Sequence, residues 1–219
     1  MQVGEFITAF REMVQDKQTP HFWSDERIVS YLNEAVQEAC ERARLIEDRS
    51  MTLELEPGQD TYRLHASVFE VKRLTLRGRL LDETSVEDLD CQSPGWEMRT
   101  GQPRCFIFEP ASGGLPAQVR LVPAPPAADT VGLTVYRGAK QALAANAPTA
   151  QPEIPLRFHT RLMDWVMHRA YLQQDADTFD PSKAATSLAL FVQAFGERPD
   201  ANVQRKHRDR RPPIVHSNW

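Results

Sequence analysis

The sequence predicts an α+β fold: a bundle of N- and C-terminal helices, a small inserted antiparallel β-sandwich or barrel, and an extended C-terminal arm. Three observations support this class. Apolar residues recur at three- and four-residue steps near both ends of the chain, as in amphipathic helices. Between them, short runs alternate apolar and polar residues and are separated by Pro and Gly, as in strands. The final stretch is basic and interrupted by prolines.

The first helix is predicted at residues 3–16, with Phe6, Phe10, Met13 and Val14 on one side. It ends before Pro20, because the residue before a proline disfavours the helical conformation. We expect Phe22 and Trp23, in the short connection that follows, to pack the first two helices together.

A longer helix is predicted from Ser24 to Arg49. The Ser24 hydroxyl can accept a hydrogen bond from the first turn, and Asp25 and Glu26 place negative charge at the positive end of the helix dipole. About 26 residues would span roughly 39 Å. Its apolar face comprises Ile28, Leu32, Ala35, Val36, Ala39, Ala43 and Ile46. Its polar face includes Glu34, Glu38 and Glu41.

From Met51 onwards apolar residues recur at every second position instead of every third or fourth, which predicts a β module over residues 51–138. A capped helical turn is expected at 85–89, and a loop at 94–96. Six or seven short strands at this spacing favour a small antiparallel sandwich or barrel. The predicted strands cover 51–55, 61–64, 68–76, 80–81, 105–108, 119–122 and 131–136.

Helices return after a segment at 139–155, whose Ala, Pro, Asn and Gln content predicts an exposed linker. One helix is expected at 156–174. A second begins at Asp180-Pro181, an N-cap followed by proline at the first helical position, and stops at Gly196. The bundle is therefore predicted to comprise residues 1–50 and 156–197, and the arm residues 198–219.

The composition excludes several classes of protein. The 219 residues carry a formal net charge of −4, which argues against a dedicated nucleic-acid binder. No run of 18 apolar residues occurs, so we expect no membrane span. The three cysteines, Cys40, Cys91 and Cys105, form no close pair. Scattered cysteines favour reduced thiols in a cytoplasmic setting.

No pattern of catalytic or metal-binding residues stands out. His159 and His168 lack the spacing of a metal pair, and we expect Asp164 and His168 to form a surface pair on one helix. We interpret Cys91 and Cys105 as buried free thiols. The carboxylates of Glu34, Glu38 and Glu41 could form a metal or acid/base site, but a solvated helix face is favoured. We therefore predict no enzyme activity, no metal and no cofactor.

The arm contains a cluster of basic residues and three apolar residues at its tip. The basic cluster could contact phosphate, but it contains no interleaved aromatic residue and the chain is acidic, so docking to a protein is favoured. A segment of this kind cannot bury much within its own domain, but it can become ordered on a partner. The candidate binding residues are Arg205, Lys206, Arg208, Arg210, Arg211, Ile214, Val215 and Trp219.

The chain resembles the head-to-tail adaptor, or connector, proteins of tailed bacteriophages. The resemblance begins at Trp23-Ser24-Asp25-Glu26 and continues through Ile28 and Tyr31-Leu32-Asn33-Glu34-Ala35. It extends over most of residues 3–196. Further matching stretches are Leu55-Glu56-Pro57-Gly58-Gln59, Tyr62-Arg63-Leu64, the strand at 68–76, Leu121-Val122-Pro123-Ala124-Pro125, and Ile154-Pro155 before the returning helix.

The resemblance implies a structural virion protein located in the neck, between capsid and tail, and made in the host cytoplasm. Such proteins form a ring, usually of twelve copies, that joins the portal to a downstream tail or nozzle protein. Genomic DNA passes through the ring without specific binding. In this chain the arm would bind the portal, and Glu34, Glu38 and Glu41 would line the channel or contact a neighbouring subunit.

Two other hypotheses remain open at this point. The basic arm could make the chain a phage DNA-binding or packaging factor, which strongly salt-dependent duplex binding would support. Alternatively, the chain could be a small enzyme or regulator built on a helical bundle, which a bound metal or cofactor in the purified protein would support.

Overall fold

A computed structural model describes residues 1–174 and 178–199. It contains five α-helices and eight strands in those residues, which confirms the predicted α+β class. The chain divides into two compact units. The helical unit comprises Met1–Glu47 and Tyr136–Arg198, and the β unit is built from Asp48–Val135. No helix in the described part of the chain is both long enough and apolar enough to cross a membrane.

The first helix, α1, spans Val3–Val14 and buries Val3, Phe6 and Phe10. Met13 was predicted on the same buried side but is 55% exposed. Met13 lies in the last turn, one residue before the helix ends. The buried residues of α1 end at Phe10, so the apolar side chain of Met13 is not covered.

Trp23 joins α1 to the second helix. Its ring meets Phe10 edge-on at a centroid distance of 5.5 Å, and its carbonyl accepts a hydrogen bond from Arg11 Nη2 at 3.0 Å. Trp23 is 4% exposed, whereas Phe22 is 57% exposed. The packing role predicted for both aromatic residues is therefore correct for Trp23 and wrong for Phe22.

The second helix, α2, spans Asp25–Ala43, and its buried residues include Ile28, Leu32, Ala35, Val36 and Ala39. As predicted, the Ser24 hydroxyl caps the helix by accepting from Arg27 N at 3.3 Å.

The prediction that this helix continues to Arg49 is wrong. Arg44 adopts a left-handed conformation (φ 50°), its N–H bonds to the Cys40 carbonyl, and a strand begins at Ile46. The helix therefore has 19 residues and spans about 28 Å.

The eight strands form two four-stranded sheets, ordered β1-β8-β3-β4 and β2-β7-β6-β5. The assigned pairs β2–β7, β3–β4 and β6–β7 are antiparallel, but β5 pairs with β6 in parallel. The expectation of an entirely antiparallel module therefore needs this one correction. The strands are β1 (Ile46–Leu55), β2 (Thr61–Arg63), β3 (Val68–Leu76), β4 (Arg79–Leu80), β5 (Asp82–Glu83), β6 (Cys105–Glu109), β7 (Gln118–Val122) and β8 (Asp129–Arg137).

Alternating side chains of β6 belong to two different apolar clusters. Phe106 and Phe108 enter the main core of the β unit, whereas Ile107 packs with Leu89 and Trp96 in a second cluster. Leu89 belongs to the short helix α3 (Val86–Gln92). Consecutive residues of a strand point to opposite faces, so this helix covers the side of β6 that faces away from the main core.

Trp96 was predicted to lie in a loop, but it begins a short 3-10 helix and is 3% exposed. Its indole N–H donates to Asp90 Oδ1 at 2.8 Å, and the Arg120 guanidinium lies 4.5 Å from its ring centroid. The buried indole therefore has both a hydrogen-bond partner and a cation over its face.

The returning helical segment is shorter than predicted. A 3-10 helix occupies Leu156–Arg161, and α4 spans Leu162–Tyr171. The fifth helix, α5, spans Pro181–Phe195 and is capped as predicted by Asp180, which accepts from Lys183 N at 3.0 Å. Gly196 follows it with φ 86°.

The segment predicted as an exposed linker is hydrogen-bonded to α1 and α2. Val3 N and Gly4 N donate to the carbonyls of Ala150 and Pro148, both at 2.9 Å. The Asn33 side chain donates to the Leu143 carbonyl and accepts from Leu143 N, at 2.9 and 2.8 Å. Much of the segment is exposed, but its backbone therefore follows the helices.

Glu153 fixes the end of this segment. It pairs with Arg137 Nη2 at 2.5 Å and accepts from Lys140 N at 2.9 Å. Only 8% of the Arg137 side chain is exposed. The hydrogen bond from Arg137 lowers the pKa of Glu153 below its ordinary value, because it stabilises the charged carboxylate.

Trp23→Ala should lower the free energy of unfolding by about 3 kcal/mol, because it removes a large buried side chain and leaves a cavity. Urea unfolding measures this value. Phe22→Ala is the matched control and should cost less than about 1 kcal/mol, since Phe22 is mostly exposed. Equal losses would contradict the packing role of Trp23.

Glu153→Gln should lower the free energy of unfolding by about 1–2 kcal/mol at pH 7, because it weakens a charge-assisted hydrogen bond to a buried guanidinium. Because the pKa of Glu153 is lowered in the folded state, its carboxylate contributes fully to the free energy of unfolding above the ordinary pKa of 4.5. This contribution is lost as the pH falls below that value. The gap between wild type and variant in urea unfolding should therefore shrink in acid. A gap that stays constant from pH 7 to acid would contradict this account.

Candidate functional site

The histidines singled out in the sequence do not form a site. His159 is buried, with Nδ1 at 3.0 Å from the Met1 amino nitrogen and Nε2 at 2.9 Å from the Ile154 carbonyl. His168 Nδ1 lies 2.9 Å from the Ala184 carbonyl and so connects α4 with α5. The predicted Asp164–His168 surface pair is wrong. Among the residues that the structure describes, the buried Asp164 Oδ2 has no hydrogen-bond partner, and burial raises the pKa of this carboxyl group.

The three cysteines are free thiols in different environments. Cys40 is buried, Cys105 is half-buried and Cys91 is exposed. The prediction of burial is therefore wrong for Cys91, which lies on α3, a helix whose buried residue is Leu89, and only partly correct for Cys105. Burial raises the pKa of Cys40 to about 12, so this thiol stays protonated and unreactive. Within the described residues, no three His, Cys, Asp or Glu side chains converge as a metal site would require.

The three candidate acidic residues of α2, Glu34, Glu38 and Glu41, each contact another side chain. Glu34 Oε2 lies 2.8 Å from Arg169 Nε. Glu38 Oε2 accepts from Arg42 Nη2 at 2.9 Å and from Arg42 Nε at 3.1 Å. Glu41 Oε1 accepts from Gln37 Nε2 at 2.6 Å. This face is therefore a network of ion pairs and hydrogen bonds rather than a row of uncompensated carboxylates.

Arg42 is the buried centre of this network. Only 7% of its side chain is exposed, and its guanidinium carbon lies 5.4 Å from the Trp165 ring centroid and 5.2 Å from that of Phe191. Its Nη1 also donates to the Gly196 carbonyl at 3.4 Å. Arg42 thus connects α2 with α4 and with the end of α5.

A groove of about 500 Å³ lies between α2 and α4. Arg198 reaches this region, since its Nη2 is 3.7 Å from Glu38 Oε1 and 3.5 Å from Glu41 Oε2. The groove offers carboxylates and an aromatic ring, which suits a cationic or aromatic peptide segment. It is lined by Asn33, Glu34, Gln37, Glu38, Trp165 and Arg169.

Sequence reasoning named Glu34, Glu38 and Glu41 but missed the arginines paired with them. The four-residue spacing of Glu38 and Arg42 was a usable signal, because such pairs face each other on a helix. Arg169 and Arg198 are distant in sequence and gave no local signal. The predicted arm residues from Arg205 to Trp219 lie outside the described residues.

A model of the SU10 adaptor protein family matches residues 1–216, nearly the whole chain. The chain belongs to the SU10 adaptor protein family. This confirms the resemblance to bacteriophage head-to-tail adaptors stated from the sequence. No curated protein matches the chain.

Family membership gives the chain a coarse role. SU10 adaptors are structural phage proteins, and an adaptor of this kind is a virion component that contacts portal and tail proteins. A structural role of this kind requires surfaces that bind other proteins.

Glu38→Gln should lower the free energy of unfolding by about 1–2 kcal/mol, because the buried Arg42 guanidinium loses its charged acceptor. Glu41→Gln is the matched control on the same helix. Its contacts are more exposed, so its loss should stay below about 0.5 kcal/mol. Thermal or urea unfolding measures both values, and equal effects would contradict the central position of Arg42.

Proposed function

We propose that the chain forms a ring, of twelve copies, that joins the capsid portal to a downstream tail or nozzle protein and continues the DNA channel at the virion neck. The observation that carries this proposal is the family match over residues 1–216. In each copy, the helical unit (Met1–Glu47 and Tyr136–Arg198) would act as the bundle, the β unit (Asp48–Val135) as the inserted module, and residues 198–219 as the arm.

The arm would make the contact with the portal. Its basic cluster, centred on Arg208, matches an acidic protein surface, and Ile214, Val215 and Trp219 would fill apolar pockets. A ring presents many arms at once, so contacts that are individually modest add up to a joint that does not dissociate.

The pairing of Glu34 with Arg169 and of Glu38 with Arg42 bears on the role of the acidic face. A wall that repels DNA needs net negative charge, whereas these pairs neutralise most of it. The pattern therefore supports a subunit interface over a channel lining. Ion pairs and hydrogen bonds at such an interface would fix the register of neighbouring copies.

Removing the arm by truncation after Arg198 should leave a folded protein that no longer co-purifies with the portal encoded by the same phage. Replacing Arg205, Lys206, Arg208, Arg210 and Arg211 with Gln should weaken binding and its salt dependence, since charge-assisted contacts are lost. The matched control replaces five exposed basic residues elsewhere, namely Lys17, Arg63, Arg73, Arg79 and Arg104.

Portal binding that survives truncation would exclude the arm mechanism. Comparable weakening by the control would show that overall charge, and not the arm, is responsible. Mass measurement of the protein with and without portal tests the ring and its copy number. Strongly salt-dependent binding to duplex DNA by the full chain would instead favour the packaging-factor hypothesis.

A further inference from the structure

The described part of the chain ends beside the groove between α2 and α4. The helix α5 ends at Phe195, and the Gly196 carbonyl then accepts from Arg42 Nη1. Two residues later, the Arg198 guanidinium lies against Glu38 and Glu41. Glu38 also lines the groove. The first residue of the arm is thus already in contact with the groove's own carboxylate.

The chemistry of the arm matches that of the groove in two ways. Arg205, Lys206 and the three arginines that follow at 208, 210 and 211 are cations, and Glu34 and Glu38 are acceptors at the groove. The tip of the arm contains Pro212-Pro213 and Trp219, which suit the aromatic surface of Trp165. Arginine stacks on indole and pairs with carboxylates, as Arg42 already does at the same place.

The arm is long enough to occupy the whole groove. Twenty residues follow Pro199, and an extended chain covers about 3.3 Å per residue, or roughly 66 Å. The helix that forms one wall of the groove is about 28 Å long. The arm therefore reaches every position along α2 without any rearrangement of α5.

We propose that in the unassembled subunit the arm, residues 198–219, docks in cis into the groove between α2 and α4. Attachment to the same chain supplies an effective concentration in the millimolar range, so a modest affinity is enough. Because Arg42 and Arg169 already pair with two of the carboxylates, the remaining attraction is small and sensitive to salt. Such docking keeps the basic arm away from nucleic acid until a stronger partner displaces it. This docking proposal depends on the proposed function in one respect only: it takes the portal to be the partner that displaces the arm.

The test uses 19F NMR of the full chain labelled with 5-fluorotryptophan at its four tryptophans. The Trp219 resonance is identified as the one missing from Trp219→Phe. Docking predicts a broadened and shifted Trp219 resonance at low salt. The groove variant is Glu34→Gln/Glu41→Gln, which removes one carboxylate that lines the groove and one that contacts Arg198. In this variant the Trp219 resonance should narrow and move to the position of a freely reorienting side chain. Glu38 is left unchanged because the buried Arg42 depends on it.

The matched control is Glu12→Gln/Glu56→Gln, which removes two charges from exposed positions that do not line the groove and should leave the Trp219 resonance shifted. A wild-type chain in 1 M NaCl, where the Debye length is about 3 Å, should resemble the groove variant, while the Trp23 and Trp96 resonances stay unchanged. The comparison of the wild-type chain at low salt and in 1 M NaCl tests the docking of the arm even if the groove variant fails to fold.

Three results would overturn the proposal. One is a Trp219 resonance that is already narrow in the wild-type chain at low salt. Another is an equal change in the groove variant and the control. The third is broadening that disappears on dilution, which would assign the arm to a neighbouring molecule. None of these results affects the portal-binding test, so the two proposals can fail separately.

Discussion

The helical unit depends on the burial of one face of α2. Ile28, Leu32, Ala35 and Ala39 are completely buried, and each fully buried Ile or Leu side chain contributes about 1.5–3 kcal/mol. The two alanines have no side-chain bulk to hold a neighbouring helix away. Close packing on this face places Glu38 and Arg42 at the boundary of the core, where the guanidinium is buried against Trp165 and Phe191. The polar network of α2 is therefore a consequence of its apolar packing.

Local signals in the sequence located the beginnings of elements well. Ser24 and Asp180 cap helices as predicted, because a capping side chain bonds to a backbone N–H only three residues away. These caps depend on neighbours in sequence, so a single sequence contains the information that determines them. The limits of β3 also agree with the predicted 68–76, because its alternating apolar residues are bounded by turn residues.

The end of α2 could not be predicted in the same way. Residues 46–49 (Ile-Glu-Asp-Arg) are compatible with a helix, and their apolar residue continues the helical spacing. They become a strand because β1 lies beside β8, more than 80 residues later in the chain. Tertiary pairing of this kind routinely overrides local preference. Phe22 and Trp96 show the same limit, since their neighbours in space decide which aromatic residue is buried.

Only part of the candidate site could be predicted from the sequence, for the same reason. Its carboxylates stood out by their spacing, but two of its cations, Arg169 and Arg198, come from α4 and from the chain after α5. Once Arg42, Arg169 and Arg198 are added, the α2 face has many directional hydrogen-bonding groups and little net charge. A surface of this kind selects a partner by geometry rather than by long-range attraction.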